Sequence, residues 1–227
     1  MLFFFIFFKL TVVSIIYFNE QVLVMGELTT KEKIFDVSLE LFSQKGFTNT
    51  SIRQIAREVG IKESSIYNHY SSKQAILDDI LSTFTNYFVD DLAEDTQMED
   101  LLEKDPLLFY HMGSEGFRQL IKNEKIMKIF RLIFIQMYQD DQIAEFFHKH
   151  ILEEPLKFWT SVFTKLIEKK HIEDLNPEML AREYYAYAIF LLLEIFIENN
   201  SFPEEEIDRL FEEAESHAKF LFESVRI

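Results

Sequence analysis

The chain has no cysteine, which excludes disulfides, thiolate metal sites and cysteine nucleophiles. Glycine is scarce too: five in 227 residues leave little room for a Gly-rich phosphate loop or a β fold with many tight turns. Only four prolines occur, in Asp105-Pro106, Glu154-Pro155, Asn176-Pro177-Glu178 and Phe202-Pro203-Glu204. Each stands where a helix should begin, and proline is tolerated in a helix's first turn but hardly elsewhere in it. The expected fold class is therefore all-α. Basic charge is also short, with 23 Lys and Arg against 39 Asp and Glu and a net charge of −16. Taken alone, that balance speaks against binding a phosphate backbone. The length suffices for one small and one larger helical domain.

The most informative stretch is residues 50–73, TSIRQIAREVGIKESSIYNHYSSK. Ile52, Ile55, Ala56 and Val59 share one face of a first short helix. Gly60 supplies the bend, where a side chain would crowd the turn. Ile61 and Ile66 anchor a second helix whose other positions are polar: Lys62, Glu63, Ser64, Ser65, Asn68 and His69. A small residue, a glycine four later and an aliphatic six after that form a helix-turn-helix pattern. In such motifs the second helix enters the DNA major groove.

With the continuation Tyr67-Asn68-His69-Tyr70-Ser71-Ser72-Lys73, the segment resembles the TetR family of bacterial transcriptional repressors. The likeness covers residues 31–77. Ile34, Val37, Leu41 and Phe42 fit the family's first helix, which ends in Lys45-Gly46-Phe47; Gly46 suits the left-handed position just past a helix end. Beyond residue 77 only the helical layout is similar. The resemblance implies a three-helix DNA-binding head at 26–77 and a helical ligand-binding and dimerisation body at 78–227. It also implies a palindromic double-stranded operator, read by a homodimer that a small molecule releases, in the cytoplasm. No cofactor, metal or catalytic residue is expected.

Each proposed contact has a plainer role beside it. Thr50 and Ser51 are helix-capping types, and Ser51 with Gln54 spells a capping box. By resemblance this helix start touches phosphate, which suits the anion preference of helix N-termini. Arg53 lies off the apolar face and is assigned as a phosphate clamp. Lys62, Ser64, Ser65, Asn68 and His69 form the outward face of a helix about two turns long. That face is richer in Ser, Asn and His than a merely solvated one, and Asn can bond adenine bidentately. By resemblance Tyr67 reaches a phosphate through its hydroxyl, and Lys73 pairs with another. Two positions depart from the family pattern. Lys62 replaces the usual capping Ser or Thr, and Glu63-Ser64 replaces a common Lys-Gly pair, so the base sequence read does not carry over.

The charge is unevenly spread. Residues 26–77 hold seven Lys and Arg against six Asp and Glu, whereas residues 78–227 hold fifteen against thirty-two. A near-neutral head on an acidic body should have little non-specific affinity for DNA. Residues 1–25 form an apolar extension unlike both the body and the family; up to Phe18 only Lys9, Thr11 and Ser14 break it. It is barely long enough for a bilayer, which needs about 20 residues. It also lacks the basic leader and cleavage site of a signal peptide. The favoured expectation is that the first 24 residues come from a misplaced start before Met25-Gly26-Glu27, with a membrane anchor as the alternative. Intact mass of the native protein separates the two.

The body reads as successive helices. Residues 72–92 link head to body, and Gly113 and Gly116 suggest a break within 106–123. Helices are expected at 125–137 and at 143–169, the latter interrupted near Pro155. Residues 179–197 are apolar nearly all round, as in a helix buried on several sides. The last helix carries a stripe at Ile207, Leu210, Phe211, Ala214, Ala218, Leu221, Phe222 and Val225. By resemblance the last two helices form the dimer interface. With 25 Phe and nine Tyr in the chain, an apolar pocket for a lipophilic ligand is implied. Its candidate lining is Phe109, Phe117, Phe130, Phe134, Met137, Phe158, Trp159, Phe163 and Tyr187, all of which would serve equally as core.

Two other functions compete. One is a helical lipophile- or partner-binding protein without DNA binding. The other is a metal-carboxylate enzyme, suggested by Glu145-x-x-His148 and Glu168-x-x-His171. On one helix those pairs lie about 35 Å apart and cannot share a metal centre. His148 and His150, two residues apart, face opposite sides of a helix.

Overall fold

The computed structural model describes residues 28–89, 104–198 and 204–227, together with Leu102. The apolar extension at 1–25, the end of the helix expected to reach 92, and Pro203 lie outside them. Every regular element among the described residues is helical.

Helix α1, Thr30–Lys45, opens with a reciprocal capping box between Thr29 and Glu32. It buries Ile34, Phe35, Leu39, Leu41 and Phe42. Gly46 ends it at φ 85 and ψ 156. That is not the expected left-handed helical conformation but an extended one of positive φ, which is equally reserved for glycine. Helix α2, Ile52–Val59, starts on the Ser51–Gln54 box and ends at Gly60, which is left-handed at φ 80 and ψ 28. Helix α3 is shorter than expected, covering only Glu63–Ile66. Beyond it the Asn68 and His69 N–H groups reach back three residues, to the Ser65 and Ile66 carbonyls. This tighter winding is common at helix ends.

Helix α4, Lys73–Val89, runs from the head into the body with Ile76, Leu77, Ile80, Leu81 and Phe84 buried. Full burial of one such side chain stabilises by about 1.5–3 kcal/mol. Helix α5, Pro106–Ile121, is continuous through Gly113 and Gly116, so the expected break is absent. Each glycine costs a helix only about 1 kcal/mol, and Phe109, Tyr110, Leu120 and Ile121 hold this one in the core. Helix α6, Glu124–Gln136, follows an Asn123 cap and lies along α1.

Helix α7, Asp141–Phe147, passes into a π-helical turn, His148–Glu153, and then into α8, Glu154–Glu168. The interruption expected near Pro155 takes this form, because proline lacks the N–H that an α-helix needs and crowds the carbonyl four residues back. Helix α9, Pro177–Glu198, packs along α8, and α10, Glu204–Ser224, packs against α5 and α9. Pro106, Pro155 and Pro177 all sit at helix starts, as expected. Ion pairs from Arg118 and Lys122 to Asp208, at 2.8 and 2.9 Å, tie α5 to the acidic start of α10.

Candidate nucleic-acid interface

The turn from α1 to α2 is built from the inside. Thr50 is only 2% exposed, and its hydroxyl donates to the Gly46 carbonyl at 2.9 Å. The capping and phosphate-touching roles expected of Thr50 therefore do not suit its side chain; Ser51 takes the cap instead. Ser51 Oγ accepts from the Gln54 N–H at 3.2 Å, and Gln54 Oε1 accepts from the Ser51 N–H at 2.7 Å.

Lys73 differs from expectation as well. Its ammonium donates to the carbonyls of Phe47 at 2.7 Å and Thr50 at 2.8 Å, and sits 4.2 Å from the centre of the Phe47 ring. Two of its three donors thus hold the head together, which leaves one for any phosphate. Burial lowers its pKa from the ordinary lysine value, with Asp140 pulling the other way. Tyr70 supports the same corner: its hydroxyl donates to Asp79 at 2.7 Å, and Lys31 pairs with that carboxylate at 3.2 Å. Sequence reasoning missed Phe47, Asp79 and Lys31 as parts of this corner. Their contacts lie up to 48 residues apart in the chain, as between Lys31 and Asp79, where no local pattern signals them.

The outward surface is open. Ser51, Arg53, Lys62, Ser64, Asn68 and His69 are exposed, Tyr67 is 52% exposed, and Ser65 is half-buried. Lys62 is the N-cap of α3 and makes no side-chain capping bond, as its departure from Ser or Thr implied. Beneath them the buried Ile55, Ala56 and Ile66 fix α3 against α2 across the Gly60 turn. The surface thus joins the N-terminus of α2 to a short helix bearing hydroxyl, amide, imidazole and phenol groups. Such groups can donate to phosphates and exchange hydrogen bonds with base edges.

The aromatic residues considered for a pocket fall into two groups. Phe117, Phe130 and Phe134 join Phe84, Phe146 and Phe147 through edge-to-face contacts and one tilted pair, Phe130 with Phe134; the Phe84 and Phe130 centroids are 4.9 Å apart. Trp159 and Phe163 pack on Tyr184, with Trp159 at 4.1 Å between centroids, and Phe158 packs on Trp159. Burial pushes the Tyr110 hydroxyl up to about 12, and Tyr184 is raised well above its usual value by the same cause. Phe109 is buried, Met137 is partly so, and Tyr187 stacks on His217. Among the described residues no three acidic or imidazole side chains are grouped to hold a metal ion. None of the described helices is long and apolar enough to cross a membrane.

Residues 34–80 match the family described as bacterial regulatory proteins, tetR family. The chain is 40% identical over 60 residues to IcaR of Staphylococcus epidermidis, an HTH-type negative transcriptional regulator of the biofilm operon icaADBC; the match covers 26% of this chain and 32% of that protein. It is 29% identical over 153 residues to YerO of Bacillus subtilis, an HTH-type transcriptional regulator, covering 64% of this chain and 50% of that one. The chain thus spans about a third to a half of the length of these relatives. Its fold is similar to that of a TerR/AcrR-family regulator of Aquifex aeolicus, with a TM-score of 0.58 at 19% identity, over 85% of this chain and 99% of that one. The match runs through α1 to α4, so it is this segment, residues 34–80, that is shared with the tetR family of bacterial regulatory proteins, and the helices that follow are similar to that family's solved structures in fold.

Proposed function

We propose that the chain is a DNA-binding transcriptional repressor, acting as a homodimer on a palindromic operator and released by a lipophilic small molecule. The observation that carries this reading is the exposed face of α3 and the turn after it. Lys62, Ser64, Tyr67, Asn68 and His69 stand free there on a rigidly packed support. The head is residues 26–77 and the body residues 78–227. The negative regulation stated for IcaR supports repression rather than activation.

In this reading Ser51, Arg53 and Tyr67 position the head on phosphates, with Lys62 beside them. Ser64, Ser65, Asn68 and His69 meet the bases. Thr50 and Lys73 act chiefly by building the corner that presents them. Helices α9 and α10 supply the dimer interface: Phe190 is 53% exposed and Phe220 70%, large apolar side chains that a twofold partner would cover. The ligand is held among the body aromatics and acts by favouring a head spacing that misfits successive major grooves. The protein works in the cytoplasm, where its operator is.

A gel-shift titration against DNA from immediately upstream of the gene, at several salt concentrations, tests this. A specific shift that weakens with salt is expected. Absence of any specific shift at low salt overturns the reading. Tyr67→Phe should weaken all sequences alike, whereas Asn68→Ala should alter sequence preference.

A further inference from the structure

Helices α1 and α6 lie side by side and in the same direction, and three polar contacts join them at almost constant offset. Lys125 pairs with Asp36 at 2.8 Å and Lys128 with Glu40 at 2.6 Å. At the far end, Gln136 Oε1 accepts a hydrogen bond from the Phe47 N–H at 3.3 Å. The two ion pairs are partly exposed, and such pairs contribute little individually. The third contact is different in kind. Gln136 is 3% exposed, belongs to the last turn of a body helix, and bonds to the backbone of the head 89 residues away. Gly46 makes that approach feasible: a Cβ there would fall 2.7 Å from Gln136 Nε2.

The opposite face of α6 is set in the body, where Phe130 and Phe134 join the aromatic group with Phe84 and Phe147. Phe47 in turn carries the carbonyl that Lys73 grips, next to the start of α2. The Gln136 bond therefore lands on the same corner that orients the reading surface. The head shares α4 with the body, and this seam is a second fixed line across the junction. Two lines of attachment define an angle where one would leave a hinge.

We propose that the α1–α6 seam, closed by Gln136 on the Phe47 N–H, sets the angle of each head and thereby the half-site spacing that a dimer of this chain selects. Gln136 is a positioning residue, remote from DNA. The inference rests on the DNA-binding, dimeric reading above. A dimer recognises its operator only when both heads meet half-sites about one helical turn apart. Holding both heads at one angle makes the second contact effectively intramolecular.

The test uses the full-length chain and duplexes bearing the half-site recovered from a randomised pool with the wild-type protein. These are prepared as single half-sites and as inverted pairs whose spacer varies one base pair at a time. Wild-type protein is expected to favour one spacer sharply. Gln136→Met keeps the volume but removes the acceptor; it should bind a single half-site within about twofold of wild type while losing about tenfold or more at the favoured spacer, flattening the profile. Lys125→Gln with Lys128→Gln, on the surface, should flatten the profile in the same direction to a smaller degree. That pair provides the reading if Gln136→Met does not fold. An unchanged spacer profile in whichever variant folds overturns the proposal, as does a parallel loss on single half-sites and pairs. If wild-type protein selects no DNA at all, the DNA-binding reading fails first and the proposal with it.

Discussion

The Tyr185 hydroxyl on α9 donates to the Ile151 carbonyl at 2.6 Å, the carbonyl four residues before Pro155. An α-helix would have offered that carbonyl the N–H of residue 155, and proline has none. Tyr185 thus completes a π-turn from the neighbouring helix, in a partly buried position where an unmet acceptor is expensive. Tyr185→Phe is expected to destabilise the protein by roughly 1–3 kcal/mol, the usual cost of leaving one buried partner unsatisfied. Restoring the N–H with Pro155→Ala should reduce the effect of Tyr185→Phe. Urea unfolding of the two single variants and the double variant measures this, and strict additivity would refute the link.

The two positive-φ glycines should respond differently to alanine. At Gly60 no atom lies within 4 Å of an added Cβ, so only the backbone resists. Gly60→Ala should cost about 1–2 kcal/mol, the penalty for an L-residue in the left-handed region. Gly46→Ala meets both an unfavourable backbone region and Gln136 Nε2 at 2.7 Å, and should cost distinctly more. Melting temperatures of the two variants decide the order.

The contrast between these glycines also marks what could be read in advance. Gly60 was legible because its neighbours are local: Ile55 and Ala56 before it and Ile66 after it repeat at helical spacing. The Ser51–Gln54 box is legible for the same reason. Gly46 was placed correctly at a helix end, but the residue that needs its bare Cα comes 90 positions later. Family resemblance and their places at helix starts assign Thr50 and Lys73 to DNA. Their partners, the Gly46, Phe47 and Thr50 carbonyls, are backbone atoms that carry no side-chain signature. Gly113 and Gly116 misled in the opposite direction, since their weak local preference yields to burial on either side of them.

Lys73 offers a test that separates its two roles. If its ammonium chiefly clamps the Phe47 and Thr50 carbonyls, Lys73→Met should lower the melting temperature and weaken DNA binding through a looser corner. The slope of log affinity against log salt should then stay near the wild-type value. A lysine paired with phosphate would instead reduce that slope by about 0.9 on removal. Arg53→Met, with no intramolecular bond to lose among the described residues, should show the opposite pattern: an unchanged melting temperature and a shallower slope. Equal slopes for Lys73→Met and Arg53→Met would end the distinction.

His217 should make stability depend on pH. Its ring stacks on Tyr187 at 4.1 Å between centroids and 18° between planes, joining α10 to α9. Burial lowers its pKa below the ordinary value of 6.5, and Glu183 opposes that shift. The unfolded chain therefore takes up this proton at a higher pH than the folded chain does. Between the two pKa values the unfolded state binds more protons, so stability rises with pH through that window and levels off above about 6.5. Lowering pH through the same window protonates a ring that the folded state holds poorly, and favours unfolding. His217→Gln should flatten this part of the profile while leaving the carboxylate-driven loss at lower pH. Urea midpoints of wild type and variant, measured between about pH 5 and pH 7.5, make the comparison. Identical slopes would show that the stacked imidazole does not titrate differently on folding.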